Sequence, residues 1–186
     1  VKIPVYAGSF DPITKGHLSV VRRSVETFGE CIVLIAVNPD KHGTFSIHQR
    51  LNLIRMSLAE ERIDNAFAYY TEGYVADWCD KGNVLVRGIR EASELKYEQG
   101  IADFNRARTG IETVFIPALP EQSSLSSSKV REMAAGIDAN KDWCMCGEHH
   151  NAHALGFHNH VFTAMADTSM LEPYVTRCVA NALVSL

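Results

Sequence analysis

The sequence predicts an α/β chain: a doubly wound parallel sheet of five strands, with a His/Cys-rich insertion near the C-terminal end. Three observations carry that prediction. Apolar runs of strand length, such as Cys31-Ile32-Val33-Leu34-Ile35-Ala36-Val37, are continuous instead of alternating, as in strands covered on both faces. Between them lie longer segments whose apolar residues recur at helical spacing, the first set being Leu18, Val21, Val25 and Phe28. Strand and helix patterns then alternate along the chain, which calls for right-handed crossovers and a parallel sheet.

The first strand is expected over Lys2 to Ala7. Gly8 and Gly16 flank a turn bent by Pro12, and a helix opens near Thr14 to His17 and runs to Phe28, where Gly29 stops it. The second strand, Cys31 to Val37, ends in the polar turn Asn38-Pro39-Asp40-Lys41. Ser46-Ile47-His48-Gln49 fits a capping box, with Ser at the N-cap and Gln three residues on, so a helix follows with Leu51, Ile54 and Leu58 on its buried face. Ala66 to Thr71 is the third strand and Tyr74 to Asp80 a short helical segment. Val84-Leu85-Val86 is the fourth strand and leads straight into Arg87-Gly88-Ile89-Arg90. A helix from about Ser93 to Arg106 and a fifth strand, Thr113 to Ile116, complete the series. In open parallel sheets ligands bind outside the C-terminal ends of the strands. The polar clusters Ser9 to His17, Asn38 to Lys41 and Arg87 to Arg90 all fall there.

Composition narrows the function classes. The 186 residues are 46% hydrophobic and 22% charged, as in a globular domain with a proper core. A net charge of −4 supplies no general basic field, so no nucleic-acid partner is expected and anion binding must come from local clusters. No apolar run approaches the ~20 residues that span a bilayer, and the first residues lack the pattern of a signal peptide. Cys31, Cys79 and Cys178 lie in apolar-periodic segments and read as reduced core thiols, which suits the cytoplasm and no membrane partner.

The stretch Gly8-Ser9-Phe10-Asp11-Pro12-Ile13-Thr14-Lys15-Gly16-His17 joins a strand to a helix N-terminus, whose free N–H groups favour an anion. Arg87 and Arg90 flank Gly88, and two guanidinium forks at a strand end suit phosphate oxygens. Lys41 is a flexible point charge suited to an oxygen that moves during reaction, but taken alone it reads as a surface lysine. Glu98 is either a hydrogen-bond acceptor for a ribose or amide or an ordinary helix-face carboxylate. Ser126-Ser127-Ser128-Lys129-Val130-Arg131-Glu132 caps a further helix with hydroxyls and adds positive charge, a combination that suits a leaving pyrophosphate.

Taken in order, G-S-F-D-P-I-T-K-G-H, N-P-D-K, V-R-G-I-R, E-L-K-Y-E, F-N-R, E-T-V-F and S-S-S-K-V-R-E resemble the bacterial phosphopantetheine adenylyltransferases over Lys2 to about Gly136. These are nucleotidyltransferases related to class I aminoacyl-tRNA synthetases. The resemblance implies a Rossmann-like nucleotidyltransferase fold and transfer of AMP from ATP to 4′-phosphopantetheine, giving dephospho-coenzyme A and pyrophosphate. It also implies Mg²⁺ entering with ATP and a homo-oligomer, a hexamer. Carried over residue by residue, His17, Lys41 and Arg90 act on the reacting centre. Ser9 touches both substrates, and Lys41 and Arg87 hold the acceptor phosphate. Gly73 and Tyr74, in the segment Gly73 to Trp78, contact the pantetheine arm. Phe10, Gly88, Ile89, Glu98 and the run Ser123, Ser124, Leu125, Ser126, Ser127, Ser128 and Lys129 hold ATP together with Ser9, His17 and Arg90. The chain departs from the family pattern at Gln122-Ser123-Ser124, where an aromatic residue is usual, and at Gly73-Tyr74, which replaces a more aliphatic pair. Two other readings stand beside this one: a related nucleotidyltransferase with another phosphorylated acceptor, and a non-catalytic nucleotide- or metal-binding protein.

The expected organisation is a nucleotidyltransferase domain over 1–136, an atypical insertion over 137–170, and a closing helix of the same domain over 171–186. The insertion carries Cys144, Cys146, His149, His150, His153, His158 and His160. Its spacing matches no standard zinc finger, so no metal ligand is assigned there; a Zn²⁺ site, a polar loop and an oligomer contact stay open.

Overall fold

The structure is a computed structural model that describes residues 2–37, 43–123 and 126–131. Lys41, Ser124 and Leu125, and the stretches expected as an insertion (137–170, with its Cys/His tract) and as a closing helix (171–186), lie outside the described residues. Among the described residues five strands and four helices alternate: β1 (Ile3–Gly8), α1 (Lys15–Phe28), β2 (Cys31–Ala36), α2 (Ile47–Glu60), β3 (Ala66–Thr71), α3 (Val75–Trp78), β4 (Asn83–Ile89), α4 (Ala92–Thr109) and β5 (Thr113–Pro117). A 3₁₀ turn, Pro120–Gln122, and a helical turn over 127–131 follow.

All strand pairs are parallel, in the order β3-β2-β1-β4-β5. The chain winds outward from β1 to β3, then returns to β4 on the other side of β1. The crevice above the C-terminal ends of β1 and β4 is therefore the topological switch point, where doubly wound sheets bind ligands.

Helix ends explain themselves locally. Thr14 caps α1 in a capping box whose third-residue partner is His17, and Gly29 ends it at φ 92°, its N–H donating to the Val25 carbonyl. Ser46 and Gln49 cap α2 reciprocally, as the sequence predicts. Gly110 closes α4 at φ 74°, behind Arg106 and Arg108 in the last turn, where positive charge complements the helix dipole.

Two cores flank the sheet. On one face Tyr6, Val33, Ile35, Ala68 and Val86 pack against Val21 of α1 and Leu53 and Ile54 of α2. On the other Val5, Ala7, Leu34 and Leu85 pack with Ile111 and with Val75 of α3. Each fully buried aliphatic side chain contributes about 2 kcal/mol of transfer free energy. Burial pushes the Cys31 thiol up to about 12 and that of Cys79 to about 11, so both stay protonated thiols.

Most element ends fall within a residue of expectation, and three elements differ by more. Arg87, Gly88 and Ile89 belong to β4 itself and not to a following loop, because they pair in register with Phe115, Ile116 and Pro117 of β5. The short helix shrinks to Val75–Trp78, and α4 extends to Ala92 and Thr109. Among the described residues no helix is long and apolar enough to cross a membrane.

Candidate active site

A cleft of about 320 Å³ opens at the switch point. The turn after β1, the start of α1, the end of β4, the start of α4 and the segment after β5 line it.

The β1–α1 wall is built by short-range bonds. The Thr14 N–H donates to His17 Nδ1 at 3.0 Å, and the His17 N–H donates to Thr14 Oγ1 at 3.5 Å. With Nδ1 accepting, the neutral imidazole carries its proton on Nε2. Burial first, and then the positive charge of Arg90, together lower the pKa of His17 from 6.5 to about 4. The ring packs edge-on to Phe10, their centroids 5.2 Å apart. At neutral pH this wall therefore presents an uncharged, fixed N–H donor.

Charge builds the β4–α4 wall. Arg87 leaves β4 on the face covered by α4 and meets Glu98 in a bidentate pair, Nε to Oε2 at 2.6 Å and Nη2 to Oε1 at 2.8 Å. Its Nη1 donates to the Ala7 carbonyl at 2.9 Å. Burial works against the guanidinium charge, but the Glu98 carboxylate overcomes it and holds the pKa above its ordinary value. Three of the five guanidinium N–H groups are thus used, and two remain for a ligand. Arg90 is exposed and pairs with Glu94 at 2.5 Å. Partial burial opposes ionisation of Glu94, but the backbone N–H and guanidinium of Arg90 hold its pKa below the usual value.

The third side comes from the segment after β5. Ser126 caps the turn over 127–131, its Oγ accepting the Lys129 N–H at 3.1 Å. Ser127 Oγ donates to the Pro12 carbonyl at 2.7 Å, and Arg131 donates to the Asp11 carbonyl and, at 3.1 Å, to Ser128 Oγ. These bonds tie the serine run to the first loop across more than a hundred residues of chain.

Of the sequence-predicted site residues, Ser9, Phe10, His17, Arg87, Gly88, Arg90, Glu98, Ser126, Ser127 and Ser128 line this one cleft. Ile89, Ser123 and Lys129 stand next to it in the chain without lining it. Gly73 and Tyr74 do not line it either. The Gly73 N–H donates to Thr71 Oγ1, and the exposed Tyr74 ring packs against Phe104, 5.9 Å away, and under the Arg108 guanidinium, 4.7 Å away. Lys41, Ser124 and Leu125 lie outside the described residues.

Sequence reasoning missed the scaffold of the first loop. Buried Asp11 accepts the N–H groups of Thr44 and Phe45, both at 2.8 Å, and Arg50 Nη1 donates to the Ser9 carbonyl at 3.0 Å. The partners are more than thirty residues apart, so no local pattern announces them. It also missed the part of Tyr6, Glu94 and Gln122 in the lining.

Among the described residues no group of three His, Cys, Asp or Glu side chains is arranged to hold a metal ion. The two cleft carboxylates, Glu94 and Glu98, are each engaged by arginine. This donor set fits a divalent ion carried by phosphate oxygens and water, and not one held in a protein cage.

Comparison with known proteins agrees with the geometry. A family model described as cytidylyltransferase-like matches residues 5–133. The phosphopantetheine adenylyltransferase of Clostridium novyi (strain NT) is 40% identical over 136 residues, which is 72% of this chain and 83% of that protein. That of Streptomyces coelicolor (strain ATCC BAA-471 / A3(2) / M145) is 39% identical over 132 residues, 70% and 82% of the two chains. The fold is shared with a bifunctional NMN adenylyltransferase/ADP ribose pyrophosphatase from Francisella tularensis, at a TM-score of 0.54 and 15% identity over 73% of this chain and 42% of that one. The chain belongs to the cytidylyltransferase-like family and, within it, to the phosphopantetheine adenylyltransferases.

Proposed function

We propose that this protein transfers AMP from ATP to the phosphate of 4′-phosphopantetheine, giving dephospho-coenzyme A and pyrophosphate. The observation that carries the reading is the gathering of His17, Arg87, Arg90 and the serine-capped turn at 127 around one cleft at the switch point.

An oxygen of the acceptor phosphate attacks the α-phosphorus of ATP. The bond from that phosphorus to the bridging oxygen breaks, and the oxygen leaves with the bonding electrons as pyrophosphate. No covalent enzyme intermediate is required, so the chain's part is alignment and charge stabilisation. His17, neutral and oriented by Thr14, donates from Nε2 to an α-phosphate oxygen. Arg87, steadied by Glu98, offers its two remaining N–H groups to the acceptor phosphate, and Lys41 bridges that phosphate and the reacting centre. Arg90 and the Ser126 to Ser128 turn take the charge of the departing pyrophosphate, while Ser9, Phe10, Gly88, Ile89, Glu98, Ser123 and Lys129 complete the ATP site. Gly73 and Tyr74 receive the pantetheine arm beyond the cleft. A divalent ion would be held by triphosphate oxygens and water, with no protein carboxylate needed, and would supply further charge neutralisation there. In this reading the protein works in the cytosol as a homo-oligomer, and 137–170 is an insertion before the closing helix 171–186.

The test is incubation of the purified protein with ATP, Mg²⁺ and, separately, 4′-phosphopantetheine, nicotinamide mononucleotide or glycerol phosphate, with pyrophosphate scored. Release with 4′-phosphopantetheine alone is expected; release only with another acceptor, or with none, overturns the reading.

A further inference from the structure

Tyr6 lines the cleft, and the adenylyl-transfer reading gives it no part. It stands on β1 in register with Val86 of β4. Its ring is edge-on to Phe10, centroids 5.3 Å apart, and tilted toward His17 at 6.2 Å. Gly88, two residues beyond Val86, makes room for the hydroxyl: a Cβ there would lie 3.4 Å from Tyr6 Oη and 3.2 Å from Val20 Cγ2. The hydroxyl therefore lies against the end of β4, the strand that delivers Arg87 into the cleft and leads directly to Arg90. Only 7% of the residue is exposed, yet Oη has no hydrogen-bond partner among the described residues. The hydroxyl is not sealed in the core: Tyr6 opens on the cleft, where its O–H can donate to what binds there. Three arginines, Arg87, Arg90 and Arg131, line the same cleft against two carboxylates, Glu94 and Glu98, so an acceptor drawn here is anionic.

We infer that Tyr6 Oη is a hydrogen-bond donor to a phosphoryl oxygen bound in the cleft beside Arg87 and Arg90. This deepens the adenylyl-transfer reading and rests on it, because that reading supplies the phosphoryl group. It adds a substrate-touching residue that comes from the sheet floor and not from the loops. Burial lifts the phenol pKa above its ordinary value, against the lowering effect of Arg87, so the group stays a neutral donor and never becomes an anion that would repel phosphate.

The test is Tyr6→Phe, which keeps the ring and its packing on Phe10 and His17 and removes only the hydroxyl. ATP is titrated calorimetrically without acceptor, steady-state kinetics are measured with 4′-phosphopantetheine, and Tm is measured on the same preparation. The expected result is an unchanged Tm with kcat/KM lower by about tenfold or more. Weaker ATP binding assigns the contact to a phosphoryl oxygen of ATP. Unchanged ATP binding with a higher acceptor KM assigns it to the acceptor phosphate, and a fall in kcat alone assigns it to the transition state. Wild-type values for kcat/KM and ATP affinity overturn the inference, as does a Tm several degrees lower, which would show the hydroxyl bonded within the fold. If the wild-type protein releases no pyrophosphate, the adenylyl-transfer reading fails on its own, and equal ATP affinities for the two proteins then overturn the Tyr6 contact as well.

Discussion

The two walls of the cleft hold their polar groups in opposite ways. On the β1–α1 wall, His17 is neutral and is set by Thr14, three residues away in the same helical turn. On the β4–α4 wall, Arg87 is charged and is set by Glu98, eleven residues away on another element. The difference is physical. A neutral imidazole can be desolvated at modest cost and needs only one local bond to fix its tautomer. A guanidinium in a half-buried cleft persists only beside a carboxylate, because an unpaired buried charge is expensive. The carboxylate therefore accompanies the arginine even though both substrates in the proposed reaction are anions.

The contrast is broken most strongly at His17. His17→Ala should lower kcat by about 10²–10³-fold, the usual loss for one oxyanion donor, while ATP affinity changes little; steady-state kinetics and an ATP titration check both. An equal loss in ATP affinity would make His17 a ground-state contact. The opposite wall should answer differently. Arg87→Ala should raise the acceptor KM and also destabilise the fold by about 2–3 kcal/mol, since it strands the buried Glu98 carboxylate. Denaturant titration should show Arg87→Ala/Glu98→Ala recovering part of that loss, and a fully additive double variant would mean that the pair is not coupled.

The smallest effect is the pH dependence of the neutral wall. His17 has a folded pKa of about 4, below its ordinary 6.5. As pH falls the unfolded chain takes up the proton first, so the His17 contribution to stability is complete above 6.5 and is lost as pH falls toward 4. The Tm difference between wild type and His17→Gln should therefore shift against the wild type from about pH 7 to about pH 4.5. A shift the other way would mean that the folded protein favours the imidazolium.

Much of the fold was legible because its signals are short-ranged. The continuous run from Cys31, the Ser46/Gln49 capping box and the glycine stop at 29 are decided within a few residues, and sequence patterns report on that range. The extent of β4 was not legible. Arg87-Gly88-Ile89 has the composition of a turn, and only pairing with β5 draws it into the sheet. Likewise Glu98 reads alone as a helix-face carboxylate, and its burial against Arg87 depends on where α4 packs.

The sequence by itself determined the alternation of elements, the helix caps, and the residue types available at each strand end. It also carried the similarity to relatives by which the family is identified. Only the tertiary structure decided which of these groups meet. It brought Asp11 to Thr44 and Phe45, Arg131 to the first loop, and Tyr6 to the end of β4, while it left Tyr74 outside the cleft beside Phe104 and Arg108. The reason is range: caps and periodicity arise from contacts within one turn, whereas a cleft at a switch point is made by strands that crossover helices have carried far from one another along the chain.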